Sequence, residues 1–103
     1  MDAQRQLYLV FAEDVSDSEA LRAPLREAHI ERRAQLHAQG RVRVSGPLVD
    51  SDAPDPYCGS LLVAEFPSLE AARAWAEADP YVAAGVYARM VVRRINTHFL
   101  AGA

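Results

Sequence analysis

Arg41-Val42-Arg43-Val44-Ser45-Gly46-Pro47 and, after an acidic stretch, Tyr57-Cys58-Gly59-Ser60-Leu61-Leu62-Val63-Ala64-Glu65-Phe66 decide the fold of this 103-residue chain. Arg41 to Ser45 alternates polar and apolar residues with the period of a half-buried strand, and Gly46-Pro47 reads as its end or bend. The second run resumes as a strand. Between them, Asp50-Ser51-Asp52-Ala53-Pro54-Asp55-Pro56 is a turn-rich loop with two prolines, so the two runs form a long hairpin. On the N-terminal side, Gln6-Leu7-Tyr8-Leu9-Val10-Phe11-Ala12 is nearly continuously apolar, as expected of a central strand buried on both faces. A polar break from Glu13 to Ser18 follows, and then helix formers run to Gly40. Pro24 is tolerated only in a first turn, which predicts a helix starting near Arg22 or Ala23. At 100° per residue its inward stripe is Leu21, Leu25, Ala28, His29, Arg32 and Leu36, and Gly40 is the residue that ends it.

On the C-terminal side, Ser68 is a candidate N-cap for a second helix whose stripe is Leu69, Ala72 and Ala76, with Trp75 on its flank. Asp79-Pro80 closes that helix, because the residue before a proline is pushed out of the α region. One further turn over 80–84, capped by Asp79, leads into a last strand over 86–95. The order is therefore β-α-β-β-α-β: an α+β, ferredoxin-like (split βαβ) domain with two helices on one face of a four-stranded antiparallel sheet. The whole chain is expected to be one domain with its core at about 7–95. The opposite sheet face is left apolar and uncovered, which predicts a homodimer with the two sheets face to face, a dimeric α/β barrel-like assembly.

Composition narrows the function classes. Half of the residues are hydrophobic, 24% are charged and the formal net charge is −3. No apolar run approaches the roughly 20 residues that cross a bilayer. The first residues have no apolar signal-peptide core, so a cytoplasmic protein with a short frayed lead is expected. All 11 basic residues are arginines, scattered rather than gathered in a stripe, which argues against nucleic acid as a partner. Cys58 is the only cysteine, so neither an intrachain disulfide nor a cysteine-based zinc site can be built, and it is expected to be a small buried strand residue. His29, His37 and His98 are too far apart for a metal-ligand pattern, and Asp50, Asp52 and Asp55 have neither the glycine nor the distal glutamate of a calcium loop. No metal and no cofactor is expected.

Candidate chemistry centres on His29, mid-helix on the stripe turned toward the sheet. There an imidazole needs a partner: either a backbone carbonyl, making it a core histidine, or a carboxylate. Asp79, at the exit of the second helix on the same sheet face, is the carboxylate that can approach it; otherwise it serves as a turn cap. Paired with Asp79, the imidazole has one nitrogen fixed and the other free to move a proton. Arg32, one turn beyond His29, is a candidate fork for an anionic substrate group, or else a snorkelling surface arginine. Ser45 is a candidate hydrogen-bond donor to substrate. His37 in the last helical turn and His98 in the tail are given no role.

His29-Ile30 with Arg32 behind them, Gly40-Arg41-Val42, Ser45-Gly46-Pro47, Ala64-Glu65-Phe66, Ser68-Leu69-Glu70-Ala71-Ala72 and above all Trp75-Ala76-Glu77-Ala78-Asp79-Pro80-Tyr81-Val82-Ala83-Ala84-Gly85-Val86-Tyr87 resemble the YciI-related (YCII domain) family from Leu7 to about Arg94. The resemblance implies a ferredoxin-like fold, a homodimer and a cleft with a His-Asp pair, here His29 and Asp79. Ser45, Gly46 and Tyr81 match positions expected to line that cleft. Arg33 departs from the pattern, relatives often having leucine there. One characterised type in the family is a dehydrochlorinase acting on a chlorinated hydroxyhydroquinone. The resulting expectation is a small cofactor-independent enzyme of lyase or isomerase type, acting on a cyclic or aromatic hydroxylated small molecule. The alternatives are a non-catalytic dimeric module binding a metabolite or protein, and a sheet-packing stress or regulatory protein with no ligand.

Overall fold

The computed structural model describes residues 6–52 and 56–102. The N-terminal lead over 1–5 and Asp55 of the acidic loop lie outside them. Four strands, β1 (Gln6–Asp14), β2 (Val42–Val49), β3 (Tyr57–Phe66) and β4 (Tyr87–Ile95), form one antiparallel sheet in the order β2-β3-β1-β4. Between β1 and β2 run α1 (Glu19–Arg22), a 3-10 turn (Ala23–Leu25) and α2 (Arg26–Ala38); between β3 and β4 run α3 (Leu69–Glu77) and the single turn α4 (Pro80–Ala83). This is the split βαβ topology expected from the element order.

Strand alternation sorts the sheet into two faces. Tyr8, Val10 and Ala12 of β1, Leu62, Ala64 and Phe66 of β3 and Val92 of β4 are buried, and most of them join Leu36, Ala72 and Ala76 from the helices in one core. Register aligns Leu62, Val10 and Val92 in a row across three strands. Complete burial of side chains such as Leu62 and Phe66 contributes about 1.5–3 kcal/mol each. On the other face Leu9, Phe11, Leu61, Val63 and Val91 are only half-buried. The expectation that β1 is buried on both faces is thus met on one face and, on the second, at Leu7 alone, because no other element among the described residues covers the rest of it.

Local signals explain most boundaries. The Ser68 hydroxyl accepts from the Ala71 amide, and the Asp79 carboxylate accepts from the Tyr81 amide at 2.9 Å with Pro80 in the first turn. Gly40, at φ 73°, ends α2: its amide donates to the His37 carbonyl while the Arg41 amide donates to that of Leu36, the two bonds of a Schellman motif. Gly59 is required for a different reason, since a Cβ there would stand 2.2 Å from the Ala12 carbonyl oxygen.

Four expectations need correction. The first helical segment starts at Glu19, not near Arg22, and the missing amide of Pro24 is absorbed in the 3-10 turn. The inward face is Arg22, Leu25, His29, Arg32, Arg33 and Leu36, while Leu21 and Ala28 are exposed: the buried stripe is centred on the His29 side of the one expected, with Arg22 and Arg33 in it. β2 runs on through Gly46-Pro47 to Val49; it is an edge strand, where a proline without an amide proton is tolerated. Cys58 is half-buried rather than buried. No helix among the described residues is long and apolar enough to cross a membrane.

Candidate active site

Packing the helices on one face of the sheet leaves a cleft of about 680 Å³ between the first helical segment and edge strand β2. Its size suits a small organic molecule. Arg22, His29 and Arg33 contribute from the helical side, Ser45 and Gly46 from β2, and Tyr81 from α4. The absence of a Cβ at Gly46 leaves open space there, with nothing within 4 Å of where one would stand.

His29 is 7% exposed and Asp79 3%. The imidazole Nδ1 lies 2.8 Å from Asp79 Oδ2 and 3.0 Å from Oδ1. Because an aspartate accepts, Nδ1 is the nitrogen that donates, and Nε2 remains for an exchangeable proton. Asp79 stands behind His29 rather than in the cleft wall, and its Oδ1 also accepts from the Tyr81 amide. Burial pushes the Asp79 carboxyl up, but hydrogen bonds from His29 and the Tyr81 amide, with the charges of His29 and Arg33, outweigh it and hold the carboxyl below its ordinary value. The Tyr81 ring stacks on the imidazole, with centroids 4.0 Å apart and planes within 5°. A carboxylate, a backbone turn and a ring thereby restrict His29 to one orientation, as acid-base catalysis requires.

Two turns before His29, Arg22 forms a second buried pair. Its Nε and Nη2 donate to Asp14 at 2.7 and 3.1 Å, Nη2 also donates to the Gly59 carbonyl, and the Ser18 hydroxyl donates to Asp14. Burial opposes the Arg22 charge, yet the hydrogen bond and charge of Asp14 raise its proton affinity overall. The guanidinium lies 5.1 Å from the centre of the Tyr81 ring and so supports the plate on which His29 rests. Burial raises the Tyr81 hydroxyl above its ordinary value, against the opposing charges of Arg22 and Arg26.

Not every residue singled out in the sequence reaches the cleft. Arg32 does not line it: its Nη2 donates to the Trp75 carbonyl at 2.6 Å, its guanidinium sits 4.4 Å from the centre of the Trp75 ring, and its Nη1 lies 3.8 Å from Asp79 Oδ2. Arg33 takes the position expected of Arg32, with Nη1 donating to Ser45 Oγ at 3.1 Å. His37, given no role, lines the outer cleft, and His98 is exposed outside it. Arg22, Arg33 and Tyr57 are cleft residues to which the sequence reading assigned no role. The signal for the arginines was present: Arg22, Arg26 and Arg33 fall seven and three residues before His29 and four after it, on one helical face. Among the described residues no group of three or more His, Cys, Asp or Glu side chains is placed to hold a metal ion.

Comparison with known proteins agrees with this architecture. The chain is 48% identical over 97 residues to the protein YciI of Escherichia coli, a match covering 90% of this chain and 99% of the relative. It is 40% identical over 96 residues to an uncharacterised protein of Haemophilus influenzae, covering 89% and 98%. Among solved structures, the 5-chloro-2-hydroxyhydroquinone dehydrochlorinase TftG of Burkholderia phenoliruptrix, in complex with 2,5-dihydroxybenzoquinone, superposes with a TM-score of 0.78 at 26% identity, covering 89% of this chain and 95% of that one. The YCII-related domain model matches residues 6–96, and with it the chain belongs to the YCII-related domain family.

Proposed function

We propose that this protein is a small enzyme that uses His29 as its general acid-base group, with Asp79 as the orienting partner, on a hydroxylated cyclic or aromatic substrate. The observation that carries the reading is the 2.8 Å contact between His29 Nδ1 and Asp79 at the wall of a cleft of small-molecule size. In a lyase or isomerase step, Nε2 takes a proton from the substrate and the released electron pair forms a new double bond. A leaving group departs or the proton is returned elsewhere, and Asp79 stabilises the imidazolium in between. Ser45 and the open space at Gly46 position the substrate, while Tyr81 holds the imidazole plane. The likeness to TftG, whose printed activity is a dehydrochlorination and whose complex holds a dihydroxybenzoquinone, supports the reaction type and the ring-shaped substrate class. The half-buried apolar face of Leu9, Phe11, Leu61, Val63 and Val91 supports a homodimer formed sheet to sheet.

The test is a thermal-shift screen of phenols, quinols, lactones and hydroxy acids on wild type and His29→Ala, with each hit then followed by proton NMR in deuterated water. A ligand at about 100 times its Kd stabilises by roughly 2.7 kcal/mol, a shift of several degrees. Hits whose carbon-bound protons exchange or which are transformed by wild type, slowed about 10²- to 10⁴-fold in His29→Ala, are the expected result. Ligands that bind both proteins equally and remain unchanged would contradict it and favour a binding module.

A further inference from the structure

Four guanidinium groups line the cleft, and three of them are neutralised: Arg22 by Asp14, Arg26 by Glu19 and Arg43 by Glu65. Arg33 is different. Among the described residues no carboxylate lies within ion-pair distance of it. Its Nη1 donates to neutral oxygens, Ser45 Oγ at 3.1 Å and the Leu61 carbonyl at 3.3 Å, the guanidinium lies 5.6 Å from the centre of the Trp75 ring, and its Nε is buried with no hydrogen-bond partner. Burial weakens the hold of this guanidinium on its proton, and Tyr87 and Asp79 restore it only in part. A cation so placed is under-compensated in the free protein, and an incoming anion would relieve that cost.

The surroundings favour the same ligand. Among the described residues no aspartate or glutamate lines the cleft, so Arg33 is the one lining guanidinium left without a carboxylate there. Arg33 lies one helical turn after His29, about 5–6 Å away between Cβ atoms, on the same wall. Ser45 meets it from the facing strand and, since its oxygen accepts from Arg33, its hydroxyl proton is free to donate. Charge-assisted donors of this kind select carboxylates and other oxyanions over neutral groups of the same shape.

We propose that Arg33 is the anion anchor of the cleft, and that the substrate is a small hydroxylated molecule carrying a carboxylate or other oxyanion, held by Arg33 and Ser45 one helical turn from His29. The inference deepens the acid-base reading above and rests on it for the identity of the site, but binding alone can test it.

The probes are 2,5-dihydroxybenzoate and its neutral analogue 2,5-dihydroxybenzamide, titrated by NMR against the full chain as wild type, Arg33→Leu, Arg33→Lys and His29→Gln. Wild type is expected to bind the benzoate at least about tenfold more tightly than the amide. Arg33→Leu should weaken the benzoate roughly 10- to 100-fold, leave the amide within about twofold and abolish the preference, while Arg33→Lys keeps part of it. Where leucine lowers Tm too far, Arg33→Gln removes the charge while keeping a donor for Ser45 and Leu61, and gives the same readout. His29→Gln should retain the preference for benzoate. A failure of the acid-base reading therefore leaves this result intact, and a failure of the anchor leaves turnover by His29 intact. Equal benzoate binding by wild type and the uncharged Arg33 variant overturns the anchor. So does a wild type that binds both probes alike, or one that shows no benzoate binding at millimolar concentration.

Discussion

Arg22 and His29 stand two helical turns apart on the same inward face, and each is paired with a buried aspartate, yet the two pairs differ in what is left over. In the Arg22 pair the aspartate is the densely bonded partner: Asp14 takes two guanidinium donors and the Ser18 hydroxyl, and Arg22 also reaches the Gly59 carbonyl. The side chains are 3% and 2% exposed. In the His29 pair the carboxylate is equally buried and orients the ring, but only Nδ1 is spent. The Arg22 pair, tied by four hydrogen bonds, holds β1, β3 and the first helical segment together; the His29 pair, with a titratable ring and one nitrogen to spare at a cleft wall, is the one on which the proposed proton transfer rests.

The contrast breaks most visibly at Arg22. Arg22→Met leaves the Asp14 carboxylate buried without its counter-ion, which costs about 3–5 kcal/mol. Against the roughly 5–15 kcal/mol of an ordinary domain this is a large share. Urea unfolding should show a midpoint lowered to match, and a loss below about 1 kcal/mol would remove the distinction between the pairs.

Asp79→Asn is expected to cost less, about 1 kcal/mol, because asparagine caps α4 as well as aspartate does. Its pH dependence sharpens the comparison. Asp79 is held below its ordinary value in the fold, so the stability it contributes is present above the unfolded carboxyl value near about 3.9 and is lost as pH falls through the lower folded value. Wild type should therefore exceed Asp79→Asn at neutral pH, with the gap closing below about pH 4. A gap that stays constant from neutral to strongly acidic pH would show that the carboxylate charge contributes nothing there.

Much of the fold is legible in sequence because its signals are local. The hairpin, the caps at Ser68 and Asp79, and the stop at Gly40 each depend on residues within a few positions of one another. The start of the first helical segment was not legible, since Pro24 is accommodated by a 3-10 turn that allows helix before it. Nor was the extension of β2 through Gly46-Pro47, which is tolerated because β2 is an edge, a property of the whole sheet. The candidate site divides in the same way. His29 stands out as a polar residue on an inward stripe, whereas its contact with Asp79 spans 50 positions of chain and exists only once α2 and α4 pack together. The stripe drawn through Leu21 and Ala28 also led to Arg32 being chosen over Arg33. Both lie one turn or less from His29, and only the packing of α2 against α3 and β2 shows that Trp75 holds the first and Ser45 meets the second.

The most direct test of the central claim is the tautomer of His29, read from two-bond nitrogen–proton NMR on labelled protein at neutral pH and above, with Asp79→Asn alongside. The account predicts that in the neutral ring the proton sits on Nδ1 and Nε2 is bare, and that Asp79→Asn weakens this preference. A neutral ring protonated on Nε2, or a tautomer indifferent to Asp79, would contradict it.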